Sequence, residues 1–200
     1  MRKEKLEELK FYLETLKTID FIKKDNPSSF IKSEVYDCKL NNGEIITREK
    51  ILKGNKDGSA VIVLPITING EVILVVEPRV FTKKTVGVGL PAGYIEKNEK
   101  ACVAALRELQ EETGYTTNEI IPLGGFYQDM GCSSAYNESF LAKDCIKISK
   151  QKLDESEFIK YFKCTFEEAL ELIDLGYIEG ANSIITFEKV KKLGGIYVWC

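Results

Sequence analysis

Residues 93–115 read GYIEKNEKACVAALRELQEETGY, and this stretch limits what the rest of the chain can build around it. Asn98 stands where an N-cap belongs and Gly114 where a helix needs a left-handed C′ residue, which predicts a helix of about 15 residues between them. Positions four apart on a helix are separated by about 40° around its axis, so Glu108 and Glu112 share a side. Ala101, Ala104 and Ala105 fall within about 60° of that same side. An ordinary surface helix keeps its carboxylates opposite its small packing residues. Here the two share a face, so the fold must bring that face against something that welcomes negative charge.

Bare clustered carboxylates repel one another and take up protons unless cations neutralise them. Arg107 can pair with Glu111 at i, i+4, which leaves Glu108 and Glu112 free to ligate a hard cation. Mg²⁺ suits such a site, because it takes oxygen ligands, keeps several waters and bridges to substrate phosphates. The preceding LPAG is apolar and turn-like, and a backbone carbonyl there, such as that of Ala92, could complete the ligand set. The competing reading is a solvated Glu/Arg face laced by i, i+4 pairs.

The chain of 200 residues contains no histidine. That removes Ser-His and Cys-His nucleophilic catalysis and HExxH zinc chemistry together. Acid–base work must then fall to carboxylates, Lys, Tyr or Cys. A net charge of −3 argues against nucleic acid as an obligatory partner, since backbone neutralisation needs a basic surface. No apolar run approaches the roughly 18 residues of a membrane span, and the charged start MRKEKLEELK has no hydrophobic segment behind it. Cysteines 38, 102, 132, 145, 164 and 200 lack CxxC spacing, so reduced thiols in a cytoplasmic protein are expected.

Residues 4–18 carry Leu6, Leu9, Leu13 and Leu16 at helical spacing, a stripe for packing on the same domain or on another subunit. KKDNPSS, 23–29, reads as a linker. SEVYDCKL and EIITREKI flank NNG as a hairpin, and SAVIVLPIT and EVILVVEP flank NG as a second strand pair. IIPLGGFYQ, ESFLAKD and EFIKYFKC are further strand candidates. TFEEALELIDLG carries a capping box, Thr165 with Glu168, and Gly176 closes it. A last helix is expected over about 181–193. Interleaved strands and helices make the class mixed α/β.

Gly93, Glu99 and the run Arg107-Glu108-Leu109-Gln110-Glu111-Glu112-Thr113-Gly114-Tyr115 match every specified position of the Nudix box, and the chain resembles a Nudix hydrolase. The similarity runs from about residue 34 to 178 and is greatest to the ADP-ribose pyrophosphatase branch, in LPAGYIEKNEKACVAALRELQEETGY and LDESEFIKYFKCTFEEALELI. The resemblance implies an α/β/α sandwich around a mixed β-sheet over 55–200, with an N-terminal helix and β-hairpin extension over 1–54. It also implies Mg²⁺-dependent hydrolysis, with Mn²⁺ as a substitute, of the pyrophosphate bond in ADP-ribose or a related nucleoside diphosphate sugar. Carried over residue by residue, Glu108, Glu112 and Glu111 would ligate metal with the carbonyl of Ala92. Arg107 would orient the glutamates, Glu99 would steady the loop, and Gly93 and Gly114 would serve the motif's backbone. The base would come from the acidic DESE loop, Glu155 first and then Glu157. Arg79, at the end of VVEPRV, would clamp phosphate, and Phe126, Tyr127 and Tyr136 are candidates to stack a base. A homodimer is implied, with the N-terminal region helping to build the interface or the pocket.

Two departures bear on substrate. Many relatives have ELPAG where this chain has Gly89, and Met130 stands where ADP-ribose hydrolases carry a proline. Two other readings stay open: a non-catalytic nucleotide sensor on the same fold, and a housecleaning enzyme for nucleoside triphosphates.

Overall fold

The computed structural model describes residues 1–20, 22–23, 30–54 and 56–194. Most of the linker expected over 23–29, and the final residues 195–200, lie outside them. The elements follow in the order α1 (Lys3–Leu16), β1 (Ile31–Lys39), β2 (Ile45–Lys53), β3 (Ala60–Thr67), β4 (Val72–Pro78), β5 (Val86–Gly89), β6 (Ala92–Tyr94), α2 (Ala101–Thr113), β7 (Tyr115–Thr116), β8 (Glu119–Tyr127), β9 (Tyr136–Lys147), β10 (Lys160–Cys164), α3 (Phe166–Asp174) and α4 (Ala181–Gly194).

Among the described residues, eight strands form one mixed sheet with the central order β10-β4-β3-β9-β7; β5, β6 and β8 add to β4, β3 and β9. The β3–β9 pair is parallel and the other pairs are antiparallel. A strand buried on both faces needs a near-continuous apolar run, and AVIVLPIT of β3 supplies it. Its period-two alternation splits the core. Val61 and Val63 pack under Ala104, Ala105 and Leu109 of α2. Ile62 and Leu64 point the other way, into a larger cluster with Leu9 of α1, Leu172 of α3 and Phe187 of α4. The result is the expected α/β/α sandwich.

The leucine stripe of α1 packs on its own chain: Leu9 is fully buried, with Leu13 and Leu16 against the same core. Arg2, just before α1, grips Glu168 with Nε and Nη2, both at 2.9 Å, and its backbone N–H adds a third bond at 2.7 Å. Glu168 also completes the capping box with Thr165 at the start of α3. These contacts hold its carboxyl down at about 2, the Arg2 side chain foremost.

β1 and β2 form a separate two-stranded antiparallel sheet whose residues are mostly exposed. Its base is tied down by Ile51 N–H donating to the Cys132 carbonyl at 2.8 Å and by a tilted Phe30–Tyr94 ring contact. No helix among the described residues is long and apolar enough to cross a membrane.

Candidate active site

The helix α2 starts later than its sequence suggests. Asn98 is not the N-cap; it sits at φ 65°, in the left-handed region that a short Asn tolerates, inside the turn before the helix. Lys100 occupies the N-cap position without a side-chain cap. The far end is as expected: Gly114 takes φ 78° and its N–H closes on the Gln110 carbonyl at 2.8 Å. The Gly114 carbonyl then accepts from Ile148 and Ser149, and the Glu111 carbonyl from Lys152 N–H at 2.8 Å. These bonds satisfy helix-end carbonyls and dock the chain leading to the DESE loop onto α2.

Ala104, Ala105, Glu108, Leu109, Glu112 and Thr113 are the buried residues of α2, so two carboxylates do lie on its packing face. Glu108 keeps 8% of its surface and Glu112 5%. Arg107 is the hub that makes this tolerable. It forks onto Glu99 through Nε at 2.9 Å and Nη2 at 3.0 Å, and Nη2 also donates to the Tyr94 carbonyl at 3.0 Å. Nη1 donates to Glu111 at 3.0 Å, as the helical spacing implies, but also to Glu108 at 2.7 Å. Glu108 is therefore not left free by Arg107, because one guanidinium edge spans both neighbours.

Glu112 has less help: its one side-chain hydrogen bond is from the Ala92 N–H at 3.3 Å. Burial, then the charges of Glu77 and Glu108, push its carboxyl well above the ordinary range. Glu108 is raised too, by burial against the opposing pull of Arg107, while Arg107 holds Glu99 down. The LPAG segment ends in strand rather than turn, since Ala92–Tyr94 pairs with Ala60–Ile62 as β6. That pairing carries Ala92 past Glu112 and lays Gly93 under the Glu108 carboxylate, where an added Cβ would collide with it. Gly93 is required here for space.

The acidic loop separates its two candidates. Glu157 turns back so that Oε2 accepts from Asp154 N–H at 3.0 Å, and its charge is felt at Glu77, Glu108 and Glu112. Glu155 and Glu157 are both exposed, and Glu155 sits in the turn itself.

Ala92 and Gly93, which lie against Glu112 and Glu108, line a cleft of about 720 Å³, within the range of small-ligand sites. Glu77, Arg79, Ala92, Gly93, Phe126 and Tyr127 are among its lining residues. Arg79 pairs with Glu77, two residues earlier and on the same face of the strand direction. Tyr136 stands edge-on to Tyr127 at 5.1 Å between ring centres and is not part of the lining, so it supports a wall instead of presenting a face. Gly89 also lines the cleft, and a Cβ there would lie 2.9 Å from the Ser183 hydroxyl, which caps Leu90 N–H at 3.0 Å. Ser183 thus fills the space that an acidic side chain at 89 would need. Met130 is 83% exposed and lies outside the lining.

Glu77 was missing from the sequence-derived set. Its signal was a two-residue spacing from Arg79 at the end of a strand, which puts both side chains on one side. What could not be read locally is β5, whose Gly87 pairs with Glu77 and leaves room above it.

A family model described as NUDIX domain matches residues 56–195. An ADP-ribose pyrophosphatase of Bacillus subtilis (strain 168) is 38% identical over 141 residues, covering 70% of this chain and 74% of that protein. A methanol dehydrogenase activator of Bacillus methanolicus is 33% identical over 79% of this chain and 83% of its own. A GDP-mannose pyrophosphatase of Enterobacter sp. (strain 638) is 25% identical over 82% of this chain and 88% of its own. The fold is shared with a solved structure titled as that of an ADP compounds hydrolase, at a TM-score of 0.73 and 22% identity, over 92% of this chain and 96% of that one.

Proposed function

This chain belongs to the Nudix hydrolase family, and on that premise we propose that it hydrolyses the pyrophosphate bond of ADP-ribose or a related nucleoside diphosphate sugar, with Mg²⁺ as cofactor. The products would be a nucleoside monophosphate and a sugar phosphate. The observation that carries this reading is the placement of Glu108 and Glu112, buried together on the packing face of α2 against Gly93 and Ala92, which line the cleft.

The donor set fits a hard divalent cation. Glu112 is a buried carboxylate with one neutral protein donor and the charges of Glu77, Glu108 and Glu157 acting on it, so charge compensation from a cation would relieve it. Among the described residues, no three His, Cys, Asp or Glu side chains converge into a ready-made cage. Mg²⁺ is commonly held by one or two carboxylates, with water and substrate oxygens completing its shell, and Mn²⁺ would substitute. Glu108, Glu112, Glu111 and the Ala92 carbonyl would provide the protein ligands. When bound, the ion neutralises the diphosphate and lowers the pKa of water.

The remaining work falls to the chain's own groups. Arg107 holds Glu108 and Glu111 in register while Glu99 anchors it. Arg79 would bind phosphate oxygens with the guanidinium donors that Glu77 does not use. Glu157 would accept the proton of the attacking water at a carboxylate oxygen, a choice favoured over Glu155 because its charge bears on Glu108 and Glu112. Phe126 and Tyr127 supply aromatic surface for a base.

We assign residues 55–200 to the hydrolase domain and 1–54 to an extension. A homodimer through the β1–β2 hairpin would cover Val35, Tyr36 and Ile45, which are exposed on a two-stranded sheet that is marginal by itself. A cytoplasmic setting fits the five described cysteines, all free.

The test is a panel of ADP-ribose, GDP-mannose and nucleoside triphosphates with Mg²⁺, scored by released phosphomonoester. Turnover of the diphosphate sugars, abolished in Glu112→Gln, is expected. Preference for triphosphates would favour the housecleaning reading, and tight binding with no turnover would favour a sensor.

A further inference from the structure

We propose that Glu77 is a positioning residue for the phosphate-binding arginine: it fixes Arg79 beside the cleft. The inference rests on the reading above and extends it to a residue outside the motif.

The geometry is specific. Glu77 lies one residue before the end of β4 and pairs with Gly87 of β5, and both line the cleft. Arg79 lies over Gly87 so closely that a Cβ there would be 2.7 Å from the arginine Cγ. The backbone of Arg79 is itself pinned, its N–H donating to the Thr85 carbonyl at 2.9 Å and its carbonyl accepting from both the N–H and hydroxyl of Thr82 at 2.8 Å. A flexible side chain thus leaves a rigid loop, crosses a glycine shelf and ends on Glu77 through Nη2. The carboxylate of Glu77 retains 23% side-chain exposure against 56% for Arg79, so the acid is the half-buried anchor and the arginine the reaching arm.

Holding Arg79 in one rotamer removes ordering entropy that a free arginine would lose when phosphate binds.

Two probes separate this role from a merely structural one. With Mg²⁺ and the nonhydrolysable α,β-methylene ADP, calorimetry should show Glu77→Gln and Arg79→Ala each weakening binding by roughly three- to tenfold, the range for a partly buried charge-assisted contact. The double variant should be no weaker than the poorer single one, because the two act as a unit. With Mn²⁺ alone, both variants should bind like the wild type, and a loss in Glu77→Gln would replace positioning of Arg79 with a general disturbance of the site. Glu77→Asp keeps the charge but shortens the reach, so it should lose analogue affinity as Glu77→Gln does. Wild-type analogue affinity in Glu77→Gln would overturn this inference alone, as would simple additivity in the double variant. Failure of the wild type to bind the analogue would overturn the functional reading and this inference with it.

Discussion

Gly93→Ala separates the stability of this fold from the geometry of its site. Gly93 lies on β6 with φ outside the left-handed region, so alanine meets no backbone strain. What it meets is the Glu108 carboxylate. Overpacking costs about 1–3 kcal/mol, and the low end applies because the obstructing atoms are the far end of a side chain that can rotate aside. A loss of about 1 kcal/mol corresponds to a fall in Tm of roughly 2–4 °C for a protein of this size. Rotation, however, breaks the 2.7 Å bond from Arg107 and takes Glu108 off its position. A displacement on the order of 1 Å at a reacting centre can cost about 10²-fold in rate. Thermal unfolding paired with steady-state hydrolysis should therefore show a nearly intact fold with turnover reduced by about two orders of magnitude. Wild-type turnover in a folded Gly93→Ala would refute the placement of Glu108. A fall in Tm of well over about 10 °C would make the glycine a folding residue instead.

Other outcomes follow from separate parts of the structure. Glu157→Gln should lower kcat by roughly 10²–10⁴-fold and Glu155→Gln far less, as measured under saturating substrate; the reverse order would move the base. Because the Glu168 carboxyl has its folded pKa lowered from 4.5 to about 2, its contribution to stability is full above pH 4.5 and is lost as pH falls through about 2. Arg2→Ala should thus destabilise near neutral pH and flatten the acid limb of a Tm-versus-pH profile. Leu9→Ala, at a fully buried position, should cost about 2–5 kcal/mol in denaturant unfolding, and a negligible cost would detach α1 from the core.

The parts of this molecule legible in sequence are those whose causes are local. β3 and β4 announced themselves through β-branched runs, α3 through a reciprocal Thr165–Glu168 cap, and the end of α2 through Gly114. The shared face of alanines and glutamates in α2 was also visible, since helical periodicity alone decides it. Asn98 misled because the same residue types favour N-caps and left-handed turns, and only the following residues' hydrogen bonds choose between them. β5 and β6 were too short to have a period, and exist because β4 and β3 offer them edges. The crowding of Gly93 by Glu108 depends on contacts between distant segments, as does the pairing that lays Gly87 beside Glu77. Such contacts leave no local pattern.

The central claim is that Glu108 and Glu112 hold a divalent cation against a pyrophosphate. Crystals soaked in Mn²⁺ with α,β-methylene ADP test it through an anomalous-difference map. The account predicts a peak within about 2.0–2.3 Å of oxygens from both side chains, with the analogue's phosphates on its open side. A bound analogue whose metal lies elsewhere, with both carboxylates still engaged only by Arg107 and the Ala92 amide, would contradict it.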